Sequence, residues 1–352
     1  MKSEILIIGA GLTGLLLAYK LKKEGISVKV IEARNRIGGR IHTLQSKNNT
    51  PIEMGATWLS SQHQELGKLL EELDLPVFEQ FMEGIALFES LSTAPPQEFK
   101  IPNNQEPSYR VQGGTISIIN KLSEILDKEE LVLNEKITHI TYTDKHFEIN
   151  SSTQVYKAEK VISTIPPMLL MHSIQFKPSL PEVIIDVANK THTWMGNSIK
   201  FGISYNRAFW KEKSYSGTVF SNVGPITELY DHSNAENTRF ALKGFLQNEM
   251  YTYSKTQRTS KVVNQLQKLF GNDALEYLAY EETVWKNESY TSVSLEKFIF
   301  PHQNNGHTSY QKGFFDNKLF IAGSETAPAY GGYMEGAVLS AQSIYQKLKN
   351  NS

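Results

Sequence analysis

Residues 4–43, EILIIGAGLTGLLLAYKLKKEGISVKVIEARNRIGGRIHT, constrain what this chain can fold into more than any other stretch. Residues 5–8 are a short apolar run, as expected of a parallel strand buried on both faces. Gly9, Gly11 and Gly14 then form G-x-G-x-x-G where that strand would hand over to a helix at 12–23. Side chains in such a turn would block a pyrophosphate from the backbone, and the helix N-terminus supplies unpaired N–H groups and a favourable dipole. Gly9, Gly11, Leu12, Thr13 and Gly14 are therefore candidate phosphate-cradle residues. Gly25 is placed to end the helix, residues 28–31 read as a second strand, and Glu32 closes it where a ribose hydroxyl needs an acceptor. An acid there favours a free ribose diol over a 2′-phosphate. A bare G-x-G-x-x-G is weak evidence, but this strand–helix–strand–acid context makes it a dinucleotide site.

The residues that follow select among dinucleotides. Arg34-Asn35-Arg36-Ile37-Gly38-Gly39-Arg40 places basic residues and a second glycine pair just beyond Glu32. A nicotinamide dehydrogenase has no need of a second phosphate turn here, whereas an extended flavin cofactor can use one. This R-x-G-G-R run resembles the FAD-binding motif of the flavin amine oxidase superfamily. The resemblance implies that Ala33, Arg34, Gly39 and Arg40 join Glu32 in binding FAD.

At 352 residues the chain exceeds the usual size of a single core, which predicts two domains. With 40% hydrophobic and 11% aromatic residues it can fill sizeable cores. A formal charge of −1 gives no electrostatic case for nucleic acid or an anionic membrane. The absence of cysteine excludes disulfides, thiolate metal sites, a cysteine nucleophile and flavin attachment through sulfur. Glu4 interrupts the apolar start and only Lys2 supplies positive charge there, so it does not read as a signal peptide. Without a run of 18 apolar residues, a soluble cytoplasmic protein with no metal is expected.

Further along, residues 52–59 read as an extended segment with a glycine break. Gly55-Ala56-Thr57-Trp58 resembles the G-A-x-W stretch of amine oxidases, where the backbone passes close to the flavin. Residues 64–73 carry a helical pattern of leucines, and 91–108, rich in Pro, Asn, Ser and charge, read as a connecting loop. Members of the superfamily have a run of cap helices at this point, so the short loop is the chain's largest departure from them. A helix is predicted over 115–126, then strands of a small sheet at 131–133, 136–142, 147–149 and 154–156, and a return to the main sheet at 160–164. The resemblance implies that Ile137 meets the adenine through its backbone.

Residues 181–189 predict a helix, and alternation at Ile199, Phe201 and Ile203 predicts a strand with Lys200 on its opposite face. A lysine on an alternating strand is ordinarily solvated. In monoamine-oxidase-like sequences, however, a lysine in this G-x-x-I-K context holds a water beside flavin N5. Residues 215–247 read as antiparallel strands and 262–270 as a helix. Trp285 matches a tryptophan beside the isoalloxazine, whereas Ser294 falls where some members place a flavin-bonding cysteine. Leu295 falls on one of two aromatics that flank the amine. Residues 318–323 predict a strand, and the last helix, begun by the turn at 330–333, is expected to reach about residue 348. The segments LFIAGSETA and GYMEGAV resemble monoamine oxidases and imply that Gly323, Ser324 and Glu325 meet the ribityl and pyrophosphate, with Met334 at the pyrimidine edge and Tyr333 the surviving aromatic wall.

The resemblance covers nearly the whole chain and implies an α/β, two-domain flavoprotein. Its Rossmann-type FAD-binding domain would comprise residues 1–65, 108–190 and 285–352, and its mixed-sheet substrate domain residues 66–107 and 191–284. The implied activity is oxidation of an amine to an imine by non-covalent FAD, with O2 reoxidising the flavin to give H2O2. Lys200, Tyr333 and Trp285 are the candidate catalytic residues. Two alternatives stay open: another flavin oxidoreductase, such as a desaturase or amino-acid oxidase, and a non-catalytic flavoprotein. Amino-acid oxidation would require an arginine for the carboxylate, and spacing favours none of Arg207, Arg239 and Arg258.

Overall fold

The apolar run near the N-terminus becomes the second half of the strand Lys2–Ile8, which lies inside a sheet with Ile5, Leu6, Ile7 and Ile8 all buried. Ile5, Leu6 and Ile7 are each at most 1% exposed, and burying such a side chain contributes roughly 1.5–3 kcal/mol. The computed structural model describes residues 2–47, 49–102, 106–143, 145–293 and 299–350. Lys2–Ile8 pairs in parallel with Val28–Ile31 on one side and Val155–Ser163 on the other. Across the sheet the order is Gln175–Lys177, Ile137–Thr143, His146–Ser151, Val155–Ser163, Lys2–Ile8, Val28–Ile31, Leu131–Val132, and Leu319–Ile321 also pairs with Val155–Ser163. The helices Leu12–Lys23 and Met334–Asn350 pack together against this sheet.

Two expectations change here. The small sheet predicted from residues 131–156 is not separate. Leu131–Val132 lies beside Val28–Ile31, and the segments at 154–156 and 160–164 belong to one strand, Val155–Ser163. Its first half alternates exposed and buried as part of a hairpin, and its second half is buried in the parallel sheet. One strand thus carries two patterns, which is why its sequence reads as two strands.

A second sheet has the order Tyr277–Val284, Ile199–Tyr205, Phe240–Leu246, Ile226–Asp231, Tyr215–Ser221, Ile85–Glu89, Gln97–Lys100. Gln97–Lys100 corrects the loop expected over 91–108: a short, charged edge strand forms there. The helix Lys255–Phe270 covers this sheet and starts from a capping box in which Ser254 and Gln257 exchange hydrogen bonds. Other helices match in place and differ at their ends, as with Ile116–Ser123 for 115–126 and Met334–Asn350, which begins only after the glycine turn. No helix among the described residues is long and apolar enough to cross a membrane. Ser294 and Leu295 lie outside the described residues.

Candidate active site

Glycine packing builds the first wall of the site. Gly9 has φ +104°, and a Cβ there would sit 2.9 Å from Thr164 Oγ1. A Cβ on Gly14 would lie 2.1 Å from the Gly9 carbonyl oxygen, so this glycine lets the helix approach the strand and does not itself face the cavity. Gly38 N–H donates to the Ala10 carbonyl (2.8 Å), which sets the second glycine turn against the first. Gly11 caps the Leu12–Lys23 helix without a side-chain hydrogen bond, leaving its first N–H groups open toward a cavity of about 540 Å³.

That cavity brings most of the predicted residues together. Gly9, Gly11, Leu12, Thr13, Glu32, Ala33, Arg34, Gly39 and Arg40 line it from the glycine-turn side. Ala56, Thr57, Trp58, Ile137, Lys200, Gly323, Ser324, Tyr333 and Met334 line the remainder. Glu32 is buried at one end, accepting from Ala10 N–H (2.9 Å) and Arg34 N–H (2.9 Å). Glu135 N–H donates to the Glu32 carbonyl (2.9 Å), which brings Ile137 to the same end. An open helix N-terminus, a buried acid for a diol and a backbone cradle without Cβ atoms together fit an FAD-sized dinucleotide.

Gly55, Trp285 and Glu325 do not line the cavity. The wholly buried Trp285 indole donates to the Met54 carbonyl (2.7 Å). Glu325 is likewise wholly buried and accepts from Arg40 at 2.5 and 2.8 Å, so Arg40 meets the cavity and Glu325 holds Arg40. Burial pushes the Glu325 carboxyl up, but the Arg40 charge and hydrogen bonds outweigh it and keep the group below its usual range. Arg207 pairs with Glu212 and Asp273, and Arg258 pairs with Glu282; neither they nor Arg239 line the cavity.

Lys200 lines the same cavity. It is 4% exposed in the fully buried strand Ile199–Tyr205, so the solvated-surface pattern does not hold. Its amine donates to the Gly55 carbonyl (2.7 Å) and lies 4.9 Å from the centre of the Phe245 ring. Burial pulls its pKa down to about 8, against the opposing charges of Glu53 and Glu228. Trp58 donates to Gln80 Oε1 (2.8 Å) and meets Tyr230 edge-on at 5.1 Å. Tyr333 is 43% exposed, and Trp194 and His302 stack against it at 6.2 and 6.1 Å.

Two residues here escaped the sequence reading. Trp194 lines the cavity from the segment before Met195, where an aromatic residue among polar ones was the available signal. Lys243 is wholly buried on the strand beside Lys200, and its apolar neighbours at 240–246 were the signal. Burial, followed by the charge of Lys200, holds Lys243 well below the usual lysine range.

The profile of the family described as flavin containing amine oxidoreductase matches residues 12–94 and 86–344. The chain is 23% identical to amine oxidase [flavin-containing] B of Mus musculus over 444 aligned positions, covering 96% of this chain and 84% of that one. It is also 23% identical to the probable flavin-containing monoamine oxidase A of Dictyostelium discoideum over 453 aligned positions, covering 99% and 97%. Among solved structures, a cofactor-binding variant of putrescine oxidase superposes with a TM-score of 0.86 at 21% identity over 100% of both chains. Cyclohexylamine oxidase from Brevibacterium oxydans IH-35A gives 0.84 at 18% identity over 99% of both. These likenesses show a shared fold with a Rossmann-type FAD-binding domain.

Proposed function

We propose, for a chain that belongs to the flavin-containing amine oxidoreductase family and is an FAD-dependent oxidoreductase, that it oxidises the C–N bond of a small amine. One observation carries this reading: a single cavity joins the open helix N-terminus and Glu32 to the buried amine of Lys200. FAD, when bound, supplies the two-electron acceptor that takes a hydride equivalent from the carbon beside the amine nitrogen, leaving an imine for water to hydrolyse, with O2 finally reduced to H2O2.

The N–H groups at Gly11 to Thr13 take the pyrophosphate, Glu32 accepts from a ribose hydroxyl, and Ile137 meets the adenine through its backbone. Arg34, Arg40 and Ser324 add polar contacts, and Met334 meets the pyrimidine edge. Lys200, whose pKa burial lowers to about 8, orders a water beside the reacting atoms. Trp58 and Tyr333 wall the amine, and their apolar faces favour its neutral, reactive form. Binding is non-covalent in this proposal, and the division into two domains follows the segments given above.

Purified protein should be yellow and release FAD on denaturation. An amine panel that includes putrescine and cyclohexylamine should bleach the bound flavin without oxygen, and oxygen should restore the colour with peroxide. Lys200→Met should slow bleaching while leaving the colour. A colourless protein that cannot be reconstituted with FAD, or a bound flavin that dithionite reduces and no amine does, would sink the proposal.

A further inference from the structure

Lys243 has no part in the reading above, yet it is wholly buried in Phe240–Leu246, opposite Gly202 of the strand that carries Lys200. Burying an amine at this position costs far more than burying a methionine would. Its Nζ donates to Thr57 Oγ1 and lies 4.1 Å from the centre of the Trp58 ring. Thr57 Oγ1–H in turn donates to the Gly55 carbonyl (3.2 Å), the same oxygen that accepts from Lys200 Nζ at 2.7 Å. Lysines from two adjacent strands therefore converge on one turn, residues 55–57, part of which lines the cavity.

The rest of that turn is anchored elsewhere. Gly55 N–H donates to the His42 carbonyl and Ala56 N–H to the Arg40 carbonyl, both at 3.1 Å, and Thr115 Oγ1–H donates to the Ala56 carbonyl at 3.1 Å. A Cβ on Gly55 would lie 2.0 Å from the Arg40 carbonyl oxygen, so the backbone has little room to shift. Among the hydrogen bonds of the described residues, Lys243 is the donor that orients the Thr57 hydroxyl. The groups around it are Lys200, Glu53, Arg110, Glu228, Tyr230 and His232. Burial, followed by the charge of Lys200, holds it well below the usual lysine range, and an amine donates in either protonation state.

We propose that Lys243 is a positioning residue for Lys200: it turns the Thr57 hydroxyl onto the Gly55 carbonyl and so fixes the acceptor that holds the Lys200 amine at the cavity wall. This rests on the amine-oxidising reading of Lys200. The test measures anaerobic flavin reduction by a substrate amine and, with no substrate, the visible absorption of bound FAD. Lys243→Met and Thr57→Val should each lower the limiting reduction rate on the order of tenfold, as small misplacements at a reacting centre do, with half-saturating amine unchanged within about twofold. The double variant should be no slower than the slower single variant, and Thr57→Ser should restore the wild-type rate. In a Lys200→Met background neither substitution should slow reduction further, and Lys200→Met, Lys243→Met and Thr57→Val should shift the flavin absorption alike.

Additive losses, or a Lys243→Met effect that persists in the Lys200→Met background, would overturn the proposal, as would an unchanged rate. If Lys243→Met fails to fold, Thr57→Val against Thr57→Ser decides alone. A wild-type flavin that no amine reduces would defeat the amine-oxidase reading, and the shared or unshared absorption shift would still decide the role of Lys243.

Discussion

Replacing Gly14 with alanine tests whether the first glycine turn works through packing. The added Cβ would lie 2.1 Å from the Gly9 carbonyl oxygen and 2.9 Å from Thr164 Oγ1. Reaching an ordinary contact of ~3.5 Å needs more than an ångström of separation, and one of the two opposing atoms is backbone. Neither side can retreat freely. Lys2–Ile8 is held between two strands, and Thr13 Oγ1–H, next to Gly14, donates to the Ala337 carbonyl (3.1 Å) of the last helix. Overpacking of this kind costs about 1–3 kcal/mol, and the upper end applies where backbone must move. The higher helix propensity of alanine returns up to ~1 kcal/mol, leaving a net loss of about 2 kcal/mol. Urea unfolding of FAD-free protein measures that loss, and FAD titration should show affinity falling at least about tenfold as the helix N-terminus is displaced. Gly67 is the control: it lies inside Gln64–Glu72, and an added Cβ there would meet nothing within 4 Å, so Gly67→Ala should stabilise by roughly 0.5–1 kcal/mol. A Gly14→Ala protein as stable and as tight for FAD as wild type would refute the packing argument.

Arg40→Met should destabilise the protein by about 3–5 kcal/mol, because it leaves the wholly buried Glu325 carboxylate without its cation. Adding Glu325→Met should recover most of that loss in urea unfolding but not the FAD affinity, since Arg40 also lines the cavity. Burial holds His42 down at about 4 and His232 well below the usual 6.5, so below pH 6.5 the unfolded chain binds more protons. Stability from these two groups is present above pH 6.5 and lost as pH falls toward about 4, while Glu53, pushed up by burial, acts in the opposite direction above 4.5. Urea midpoints should therefore drop between pH 7 and pH 5, and His42→Asn should shrink the drop; equal midpoints would contradict it. Ser254→Ala removes the capping box of Lys255–Phe270 and should cost about 0.5–2 kcal/mol without altering FAD binding, read from the same two assays.

What could be read from the chain beforehand was what local pattern encodes. Gly9, Gly11, Gly14 and Glu32 announce a strand–helix–strand nucleotide turn because each position has a steric or hydrogen-bonding reason within 25 residues of sequence. Long-range partners have no such trace. The sheet to which Leu131–Val132 belongs depends on pairing with Val28–Ile31, and the edge strand Gln97–Lys100 exists because Ile85–Glu89 offers it a ladder. The same limit explains the site. Trp285, Glu325 and Gly55 occupy motif positions, but motif position does not separate a side chain that meets the cavity from one that holds the side chain that does. Trp285 holds the Met54 carbonyl, Glu325 holds Arg40, and Gly55 gives its carbonyl to Lys200. Lys243 is the converse case: no motif marks it, and its place follows only from the register that sets Phe240–Leu246 beside Ile199–Tyr205. A one-residue slip in that register would turn Lys243 away from Thr57, because side chains alternate faces along a strand. On the proposal made for Lys243, the setting of the Lys200 amine depends on a pairing that neither strand encodes alone.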